Sequence, residues 1–396
     1  MKCKLGDIVD ITMGQSPKSK YYNTEKEGYP FLQGNRTFGF KYPTFDTYTT
    51  VLTKSAKAGD IIMSVRAPVG DLNITPVDMC LGRGVCSLRM KNGNQSFLFY
   101  MMKYYVPHLQ KKENGTVFGS VNRNDINGLE VDIPEDEQIQ RKIAEYLEVI
   151  DNKIQLNNMI NNNLEQQAQA IFKKYFINNP ENFKWSTGTF SELIISTLNG
   201  DWGKEKVIAN NIEKVFCIRG ADIPEIKLGN KGKIPIRYIL SKNLLNKQLT
   251  ADDIVIEISG GSPTQSTGRC IMITQSLLNL YDANIICTNF CKAMKPKEKY
   301  SSFIYYYWQY FYEKDVFFSY ENGTTGIKNL DFTAFIKTEP IFIPPFDMVI
   351  KFDDYCKIVF NQIFDNAKQN EKLTLLKETL LPKLMSGEID VSEIDI

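Results

Sequence analysis

Along residues 136–179, apolar residues recur at alternating steps of four and three, as in the seam of a coiled coil. Two successive asparagines interrupt the apolar series in its middle. The seam positions are Ile143, Leu147, Ile150, Ile154, Asn157, Asn161, Leu164, Ala168, Ile171 and Tyr175. A continuous helix of roughly 40 residues spans about 60 Å. The pattern therefore predicts one long helix with two polar layers.

The same pattern returns about 209 residues later, along residues 346–386. Both asparagines and the leucine that follows them recur at matching heptad positions. The second seam consists of Phe352, Cys356, Val359, Ile363, Asn366, Asn370, Leu373, Lys377, Leu380 and Leu384. Chance rarely aligns an Asn-Asn-Leu triplet in this way. The chain therefore reads as two copies of one unit, each ending in a long helix.

The regions before the two helices also match each other, as short β-branched strands that run into loops of Gly, Pro and small polar residues. The paired segments are 5–17 with 190–200, 29–36 with 215–222, 58–70 with 251–263, 97–105 with 303–311, and 115–125 with 323–331. Segments 97–105 and 303–311 are aromatic stripes at helical spacing. Such stripes are more often buried core than platforms on which nucleotides stack.

We therefore expect an α+β fold with two similar globular domains, joined by two long antiparallel coiled-coil helices as an internal pseudo-twofold repeat. The expected segments are 1–135, helix 136–179, 180–345, helix 346–386 and an acidic tail 387–396. Buried asparagine layers cost stability but fix helix register. Asn157, Asn161, Asn366 and Asn370 are thus candidates for a register lock, unless they are simply solvated on a frayed seam.

Bulk composition narrows the class of protein. The chain has 396 residues and no apolar run long enough for a membrane span or a signal peptide, so a soluble, cytoplasmic protein is expected. Eight cysteines form no Cys-x-x-Cys pair and His108 is the one histidine, which favours free thiols and no metal site. A net charge of +1 leaves no basic footprint of the kind that nucleic-acid binding usually requires.

Catalytic signatures are missing from the sequence. It contains no Gly-x-Gly-x-x-Gly, no phosphate-binding Gly-x-x-x-x-Gly-Lys-Ser/Thr loop and no Asn-Pro-Pro-Tyr/Phe motif of methyltransferases. His108 lies near the end of a predicted helix, a poor place for Ser-His or Cys-His chemistry. Asp252 and Asp253 could bind magnesium, but a surface turn before a strand is the simpler interpretation. An enzyme acting alone is therefore not favoured.

The order of motifs, doubled around two heptad helices, resembles the specificity (S) subunits of type I restriction-modification enzymes over essentially the full chain. The matching pieces are Ser-Val-Arg-Ala-Pro-Val-Gly at 64–70, Ile-Ser-Gly-Gly-Ser-Pro-Thr-Gln-Ser-Thr-Gly-Arg at 258–269, Ile133-Pro134 followed by Glu137-Gln138, and Leu-Leu-Pro-Lys-Leu-Met-Ser-Gly-Glu-Ile at 380–389. One departure concerns the second helix, which follows Pro-Pro-Phe-Asp at 344–347 and lacks the Glu-Gln pair.

The resemblance implies a non-catalytic DNA-binding subunit. Each globular domain would be a target-recognition domain that reads one half of a bipartite, gapped sequence in double-stranded DNA. The helices would set the gap and dock two methyltransferase subunits, which carry S-adenosylmethionine and methylate adenine N6. A motor-nuclease subunit using ATP and Mg would complete the complex, and this chain would hold no cofactor. Such partners would supply much of the phosphate neutralisation.

Polar side chains in the predicted loops are candidates for reading DNA, because Arg pairs with guanine and Asn or Gln with adenine in the major groove. The candidates are Gln15, Ser16, Lys18, Gln33, Asn35, Arg36, Arg66, Arg83, Asn122 and Arg123 in the first domain, and Arg219, Asp222, Ser262, Thr264, Gln265, Arg269, Lys328 and Asn329 in the second. Any of them could instead be a solvated or backbone-bonded turn residue. Arg66 and Arg269 lie inside the family motifs, which favours phosphate positioning or scaffold support.

Heptad helices alone fit a second function equally well. The chain could be a coiled-coil scaffold whose two globular heads bind proteins rather than DNA. Binding to random duplexes, with and without a methyltransferase partner, would distinguish the two.

Overall fold

The computed structural model describes residues 1–111, 119–262, 264–323 and 327–392. The chain divides into two compact units, Met1–Gln155 with Lys372–Ile396, and Leu156–Glu371. Both boundaries fall inside the two long helices, so each unit contains part of each helix. We call these the first and second units.

The first unit consists of eleven strands and three helices before the long helix, within its described residues. The strands are β1 (Lys2–Lys4), β2 (Val9–Met13), β3 (Tyr22–Asn23), β4 (Tyr29–Leu32), β5 (Tyr48–Thr49), β6 (Ser55–Ala56), β7 (Ile61–Ser64), β8 (Leu72–Ile74), β9 (Met79–Leu81), β10 (Val85–Met90) and β11 (Glu130–Asp132). The helices are α1 (Leu5–Ile8), α2 (Gln95–Lys111), α3 (Arg123–Asn127) and the long α4 (Glu137–Phe172).

Two larger sheets form the first unit, with strand orders β2-β10-β7-β8 and β3-β5-β4-β9-β6, and β1 pairs with β11. Within the second of these sheets, β4 and β9 run parallel. The aromatic helix α2 is packed into the core, where Phe97, Phe99 and Tyr100 are fully buried. The core interpretation of this aromatic stripe is therefore confirmed.

The second unit continues the numbering of strands and helices. Its strands are β12 (Ser186–Gly188), β13 (Ile194–Asn199), β14 (Asn211–Ile218), β15 (Ile236–Leu240), β16 (Ile254–Glu257), β17 (Ser259–Gly260), β18 (Cys270–Met272), β19 (Asn284–Cys287), β20 (Cys291–Pro296), β21 (Glu321–Asn322), β22 (Lys328–Leu330) and β23 (Ile341–Ile343). Its helices are α5 (Phe190–Leu193), α6 (Ile223–Lys227), α7 (Ser241–Lys247), α8 (Gln275–Leu278), α9 (Ser301–Glu313), α10 (Phe332–Thr338) and the long α11 (Phe346–Met385).

The sheets of the second unit follow the plan of the first. The order β13-β20-β16-β18 corresponds strand by strand to β2-β10-β7-β8, and the pair β12-β23 corresponds to β1-β11. A parallel pair, β14 with β19, takes the place of β4 with β9. The aromatic helix α9 is again buried, with Phe303 and Trp308 inaccessible to solvent. Two remaining sheets have the orders β15-β14-β19 and β17-β22-β21.

Each long helix begins just beyond the prolines that end the preceding strand, as the sequence predicts. The apolar seam positions of α4 are buried from Ile143 to Ile154 in the first unit. The seam prediction is wrong at Tyr175, which is 47% exposed, whereas Phe172 and Phe176 are buried in its place. A strict seven-residue repeat drifts by about 20° per heptad on a straight helix.

A π-helical turn, Lys173–Ile177, ends this helix and contributes to the shift of its buried side. In α11 the predicted seam is buried from Phe352 to Asn370, and again at Leu384. The two long helices run antiparallel in each unit, because residues of increasing number along α4 contact residues of decreasing number along α11. In the second unit these contacts join Asn157 to Asn370 and Asn161 to Asn366.

The four seam asparagines are buried, with exposed fractions between 1% and 8%. Asn157 Nδ2 donates to Asn370 Oδ1 at 2.8 Å, and Asn366 Nδ2 donates to Asn161 Oδ1 at 2.8 Å. The Asn161 amide also donates to the Leu228 carbonyl at 3.2 Å. These amides are thus bonded to one another and to the protein rather than solvated.

The C-terminal segment belongs to the core of the first unit. Leu384, Met385 and Val391 are buried among residues of that core. Lys142 Nζ donates to the Ser392 carbonyl at 2.7 Å. The described part of the predicted acidic tail is therefore packed against the first unit, and residues 393–396 lie outside the described residues.

Candidate nucleic-acid interface

In the first unit, loops that follow several strands are joined by main-chain hydrogen bonds. The Gly14 N–H donates to the Val85 carbonyl at 3.0 Å, the Gly84 N–H to Gln33 at 2.9 Å, and the Val65 N–H to Gly84 at 2.9 Å. The Val121 N–H donates to the Val65 carbonyl at 3.0 Å. We call this set the first loop cluster; it comprises residues 14–18, 33–36, 65–68, 82–84 and 119–123.

The second unit contains a corresponding set. The Thr288 N–H donates to the Ile218 carbonyl at 2.9 Å, and the Ile258 N–H to Phe290 at 2.9 Å. The Asp201 N–H donates to the Cys287 carbonyl at 2.8 Å. This second loop cluster comprises residues 200–203, 219–222, 257–262, 264–269, 288–290 and 327–329.

Two glycines show how closely the clusters correspond. A Cβ at Gly14 would lie 2.0 Å from the Gly82 carbonyl oxygen, and a Cβ at Gly200 would lie 1.8 Å from that of Thr288. No side chain can be accommodated at such a distance, so each position requires glycine. The turn 82–84 is therefore the structural counterpart of the turn 288–290.

All ten candidates from the first domain lie within the residue ranges of the first loop cluster. Gln15, Lys18, Gln33, Arg66, Arg83 and Arg123 are exposed. Within the described residues, none of these six side chains forms a hydrogen bond or an ion pair with another side chain. They are the members of the cluster that remain available to a ligand.

Four candidates of the first unit are already engaged. Arg36 pairs with Asp46 at 2.7 Å, and this hydrogen bond lowers the pKa of the Asp46 carboxyl. Asn122 caps α3, since its side-chain oxygen accepts the Asn124 N–H at 2.8 Å. The two other engaged candidates are Ser16, whose hydroxyl accepts the Arg83 N–H at 3.0 Å, and Asn35, which donates to Asp71.

The cationic candidates of the second unit are all in ion pairs. Arg219 donates to both carboxylate oxygens of Asp222, at 2.9 and 2.8 Å. Arg269 donates to both oxygens of Glu257 at 2.7 Å. In both arginines the hydrogen bond to the carboxylate raises the pKa of the guanidinium. The third cation, Lys328, pairs with the Glu321 carboxylate at 2.9 Å.

Arg269 and its partner fit a role in supporting the loop structure, one of the two roles expected for this arginine. The Glu257 side chain is 6% exposed and that of Arg269 is 24% exposed, so the bidentate pair is largely buried. Breaking such a pair leaves a buried charge without its partner. Arg219 retains more solvent contact, with 39% of its side chain exposed, although its partner Asp222 is 4% exposed.

The remaining candidates of the second unit bond mainly within their own loops. Ser262 and Gln265 form an isolated β-bridge, with Thr264 between them. Gln265 also donates weakly to Tyr312 at 3.4 Å. Asn329 accepts a hydrogen bond from the Ser259 hydroxyl. Residue 263, which belongs to the predicted loop, lies outside the described residues, as do 112–118 and 324–326.

Three exposed apolar side chains of the second cluster were missed by sequence reasoning. Trp202, Phe290 and Ile327 are 39%, 50% and 61% exposed and line one pocket of about 450 Å³ together with Gly220 and Gly260. The signal was weak, because Thr-Asn-Phe at 288–290 shares no letters with Gly-Arg-Gly at 82–84. Only the strand order reveals that Asn289 takes the place of Arg83.

The comparisons with known proteins agree with this architecture. Residues 1–166 match the family model described as type I restriction modification DNA specificity domain. The protein named MjaX specificity subunit, of a type I restriction enzyme of Methanocaldococcus jannaschii, is 37% identical over 163 residues, a match covering 41% of this chain and 38% of that relative. The type I restriction enzyme MjaIX specificity subunit of the same organism is 24% identical over 417 residues, covering 99% of this chain and 94% of that relative. Residues 1–166 are thus similar to a type I DNA specificity domain, and the chain is similar to a type I specificity subunit along nearly its full length.

A solved structure supports the same fold along the whole chain. The crystal structure of the type I restriction-modification system S subunit from M. genitalium aligns with a TM-score of 0.56 at 15% identity. The alignment covers 99% of this chain and 96% of that one. At this identity the likeness concerns the fold alone.

The chain carries eight free cysteines. Burial raises the pKa of the Cys86 thiol to about 12, which keeps that thiol protonated and unreactive. In the part of the chain that the structure describes, no group of three or more His, Cys, Asp or Glu side chains could hold a metal ion. No helix there combines the length and the apolar character that a membrane crossing needs.

Proposed function

We propose that this chain is the DNA-binding specificity subunit of a type I restriction-modification complex. Each unit reads one half of a bipartite, gapped target in double-stranded DNA through its loop cluster. The observation that carries the proposal is the shared strand order of the two units, each of which gathers the loops after its strands into one cluster. Exposed polar and cationic side chains in the first cluster suit base edges and phosphates.

The long helices set the gap between the two half-sites in this proposal. The buried bonds of Asn157 with Asn370 and of Asn161 with Asn366 support it, because they favour one register of the helix pair over its neighbours. A helix pair whose register is held by paired amides would hold a constant distance between half-sites.

The helices also dock two methyltransferase subunits, which carry S-adenosylmethionine and methylate adenine N6. Exposed apolar side chains on the helices support this step. In the second unit Leu156 and Met159 are 49% and 55% exposed, and in the first unit Leu375 and Leu376 are 65% and 46% exposed. A motor-nuclease subunit using ATP and Mg completes the complex, and this chain binds no cofactor of its own.

The decisive experiment is to express the chain with its methyltransferase partner and to map adenine methylation. The expected result is one gapped, two-part motif, with no methyl transfer or nuclease activity from the chain alone. Methylation without a gapped motif would contradict the proposal. Tight binding to a protein partner, without any preference among DNA sequences, would favour the scaffold alternative.

A further inference from the structure

The pocket of the second loop cluster has an aromatic wall that is fixed in place. The guanidinium of Arg237 lies 3.7 Å from the centre of the Trp202 ring. The Arg237 side chain is 9% exposed and pairs with Glu205 at 3.1 Å. Stacking on a buried guanidinium stabilises an aromatic ring in one orientation. One side of Trp202 is thus held by the protein, and 39% of the residue remains open to solvent.

Phe290 is a second aromatic residue in the lining of this pocket. Phe290 lies in the tight turn 288–290, and its carbonyl oxygen accepts the N–H groups of Ile258 at 2.9 Å and Ser259 at 3.2 Å. The residue is 50% exposed. The backbone at Phe290 is thus hydrogen-bonded to residues 258 and 259, while the side chain is solvent-accessible.

The charged groups at the floor of the pocket are already satisfied by the protein. Arg219 donates to Asp222 and to the Lys233 carbonyl at 3.0 Å. Glu257 accepts both of its hydrogen bonds from Arg269. A ligand that enters this pocket therefore meets mainly apolar side chains, with the exposed amide of Asn289 at the lining.

In the major groove of DNA, the 5-methyl group of thymine is the apolar feature among the base edges, and aromatic side chains are known to contact it. We infer that the pocket lined by Trp202, Phe290 and Ile327 selects a thymine in the half-site of the second unit by its 5-methyl group. The inference rests on the proposed function and extends it to one chemical group. The pocket is continuous with the proposed interface, since Arg219, Ser259 and Gly260 also line it.

The test replaces single methyl groups in the DNA. Duplexes carry the motif found by methylation mapping, with each thymine in turn replaced by deoxyuridine, and binding to the chain with its methyltransferase is followed by fluorescence anisotropy. Loss of one buried methyl group weakens affinity about fourfold. We expect this loss at one thymine of one half-site, and we expect Phe290→Ala to abolish the discrimination between thymine and uracil at that position.

Phe183→Ala is the matched control, because Phe183 is 71% exposed and lies outside both loop clusters. This variant should discriminate like the unmodified chain, and circular dichroism should show that both variants are folded. Equal binding of thymine and uracil duplexes by the unmodified chain overturns the inference while leaving the motif intact. Equal losses by Phe290→Ala on both duplexes overturn it too, since the ring would then act without regard to the methyl group. Failure to find any motif would instead refute the proposed function, and this inference with it.

Discussion

The two loop clusters follow sheets with the same strand order, but their exposed side chains differ in charge and polarity. In the first, Lys18, Arg66, Arg83 and Arg123 are exposed and form no ion pair among the described residues. In the second, all cationic candidates are bound to carboxylates, and an apolar pocket opens between the loops. Two units that share a strand order thus present free charge in one loop cluster and apolar surface in the other.

The helix pairs of the two units also differ, in the charge of their buried polar side chains. In the second unit the polar layers consist of neutral amides, Asn157 with Asn370 and Asn161 with Asn366. In the first unit a buried charged pair occupies the seam, where Lys377 donates to Asp151 and Tyr100 donates to the same carboxylate at 2.9 Å. The two seams therefore respond differently to the loss of one partner.

The largest expected effect is on the charged seam of the first unit. Lys377→Met should lower the free energy of unfolding by about 4 kcal/mol, because it leaves the carboxylate of Asp151, which is 1% exposed, without its cation. Urea denaturation of the full chain measures this change.

The neutral seam supplies the control. Asn157→Ala should cost about 2 kcal/mol, the range for a buried amide that loses its partner. If Lys377→Met costs less than Asn157→Ala, the charged pair does not hold the seam of the first unit as described.

The second effect contrasts buried and exposed arginine pairs. Glu257→Gln should lower the free energy of unfolding by about 3 kcal/mol, because Arg269 loses a bidentate partner that is 6% exposed. Asp46→Asn is the control in the first unit; it removes the partner of the exposed Arg36 and should leave the urea midpoint unchanged. Equal shifts of the urea midpoint for both variants would remove the distinction between buried and exposed arginine pairs.

The third effect is a pH dependence that is specific to the first unit. Burial, and then the nearby charge of Lys377, lowers the pKa of the Lys103 ammonium to about 8, from an ordinary value of 10.5. Between these values the unfolded chain binds more protons than the folded chain, so stability should rise with pH across that window.

Lys103→Met should raise the free energy of unfolding at pH 7 and flatten the rise between pH 8 and pH 10.5. Lys41→Met is the matched control, because Lys41 pairs with Glu148 at 3.0 Å and its loss should lower stability instead. A rise in stability that survives in Lys103→Met would assign the pH dependence to another group.

The smallest effect concerns the free cations of the first cluster. Arg123→Ala should weaken binding to all DNA sequences alike and reduce the slope of log K against log salt by about one. Arg36→Ala should change that slope less, since Arg36 is already paired with Asp46. A change of sequence preference in Arg123→Ala would show that Arg123 reads a base rather than a phosphate.

The long helices could be predicted from the sequence because periodicity is a local signal. The seam was correct from Phe352 to Asn370 in α11, where every predicted position is buried. It failed at Tyr175, where the drift of a real helix and a π-helical turn place Phe172 and Phe176 inside.

The chemistry of the loops was less predictable, because it depends on contacts between distant residues. Nothing in the sequence near Lys377 indicates its pairing with Asp151, 226 residues away. Arg269 likewise looks like a free cation until the structure places Glu257 on the adjacent strand. The apolar pocket was missed for the same reason, since Trp202 and Phe290 belong to separate loops.

In the proposed function, each unit reads its own half of a divided target. The most direct measurement is an adenine-methylation map of Gln33→Ala, expressed with the methyltransferase partner and compared with the unmodified chain. Gln33 is exposed in the first cluster, and its side chain forms no hydrogen bond with the described residues. We expect a motif relaxed in one half, with the other half and the gap unchanged. An unaltered motif would remove Gln33 from the reading residues, and changes in both halves would contradict the division of reading between the units.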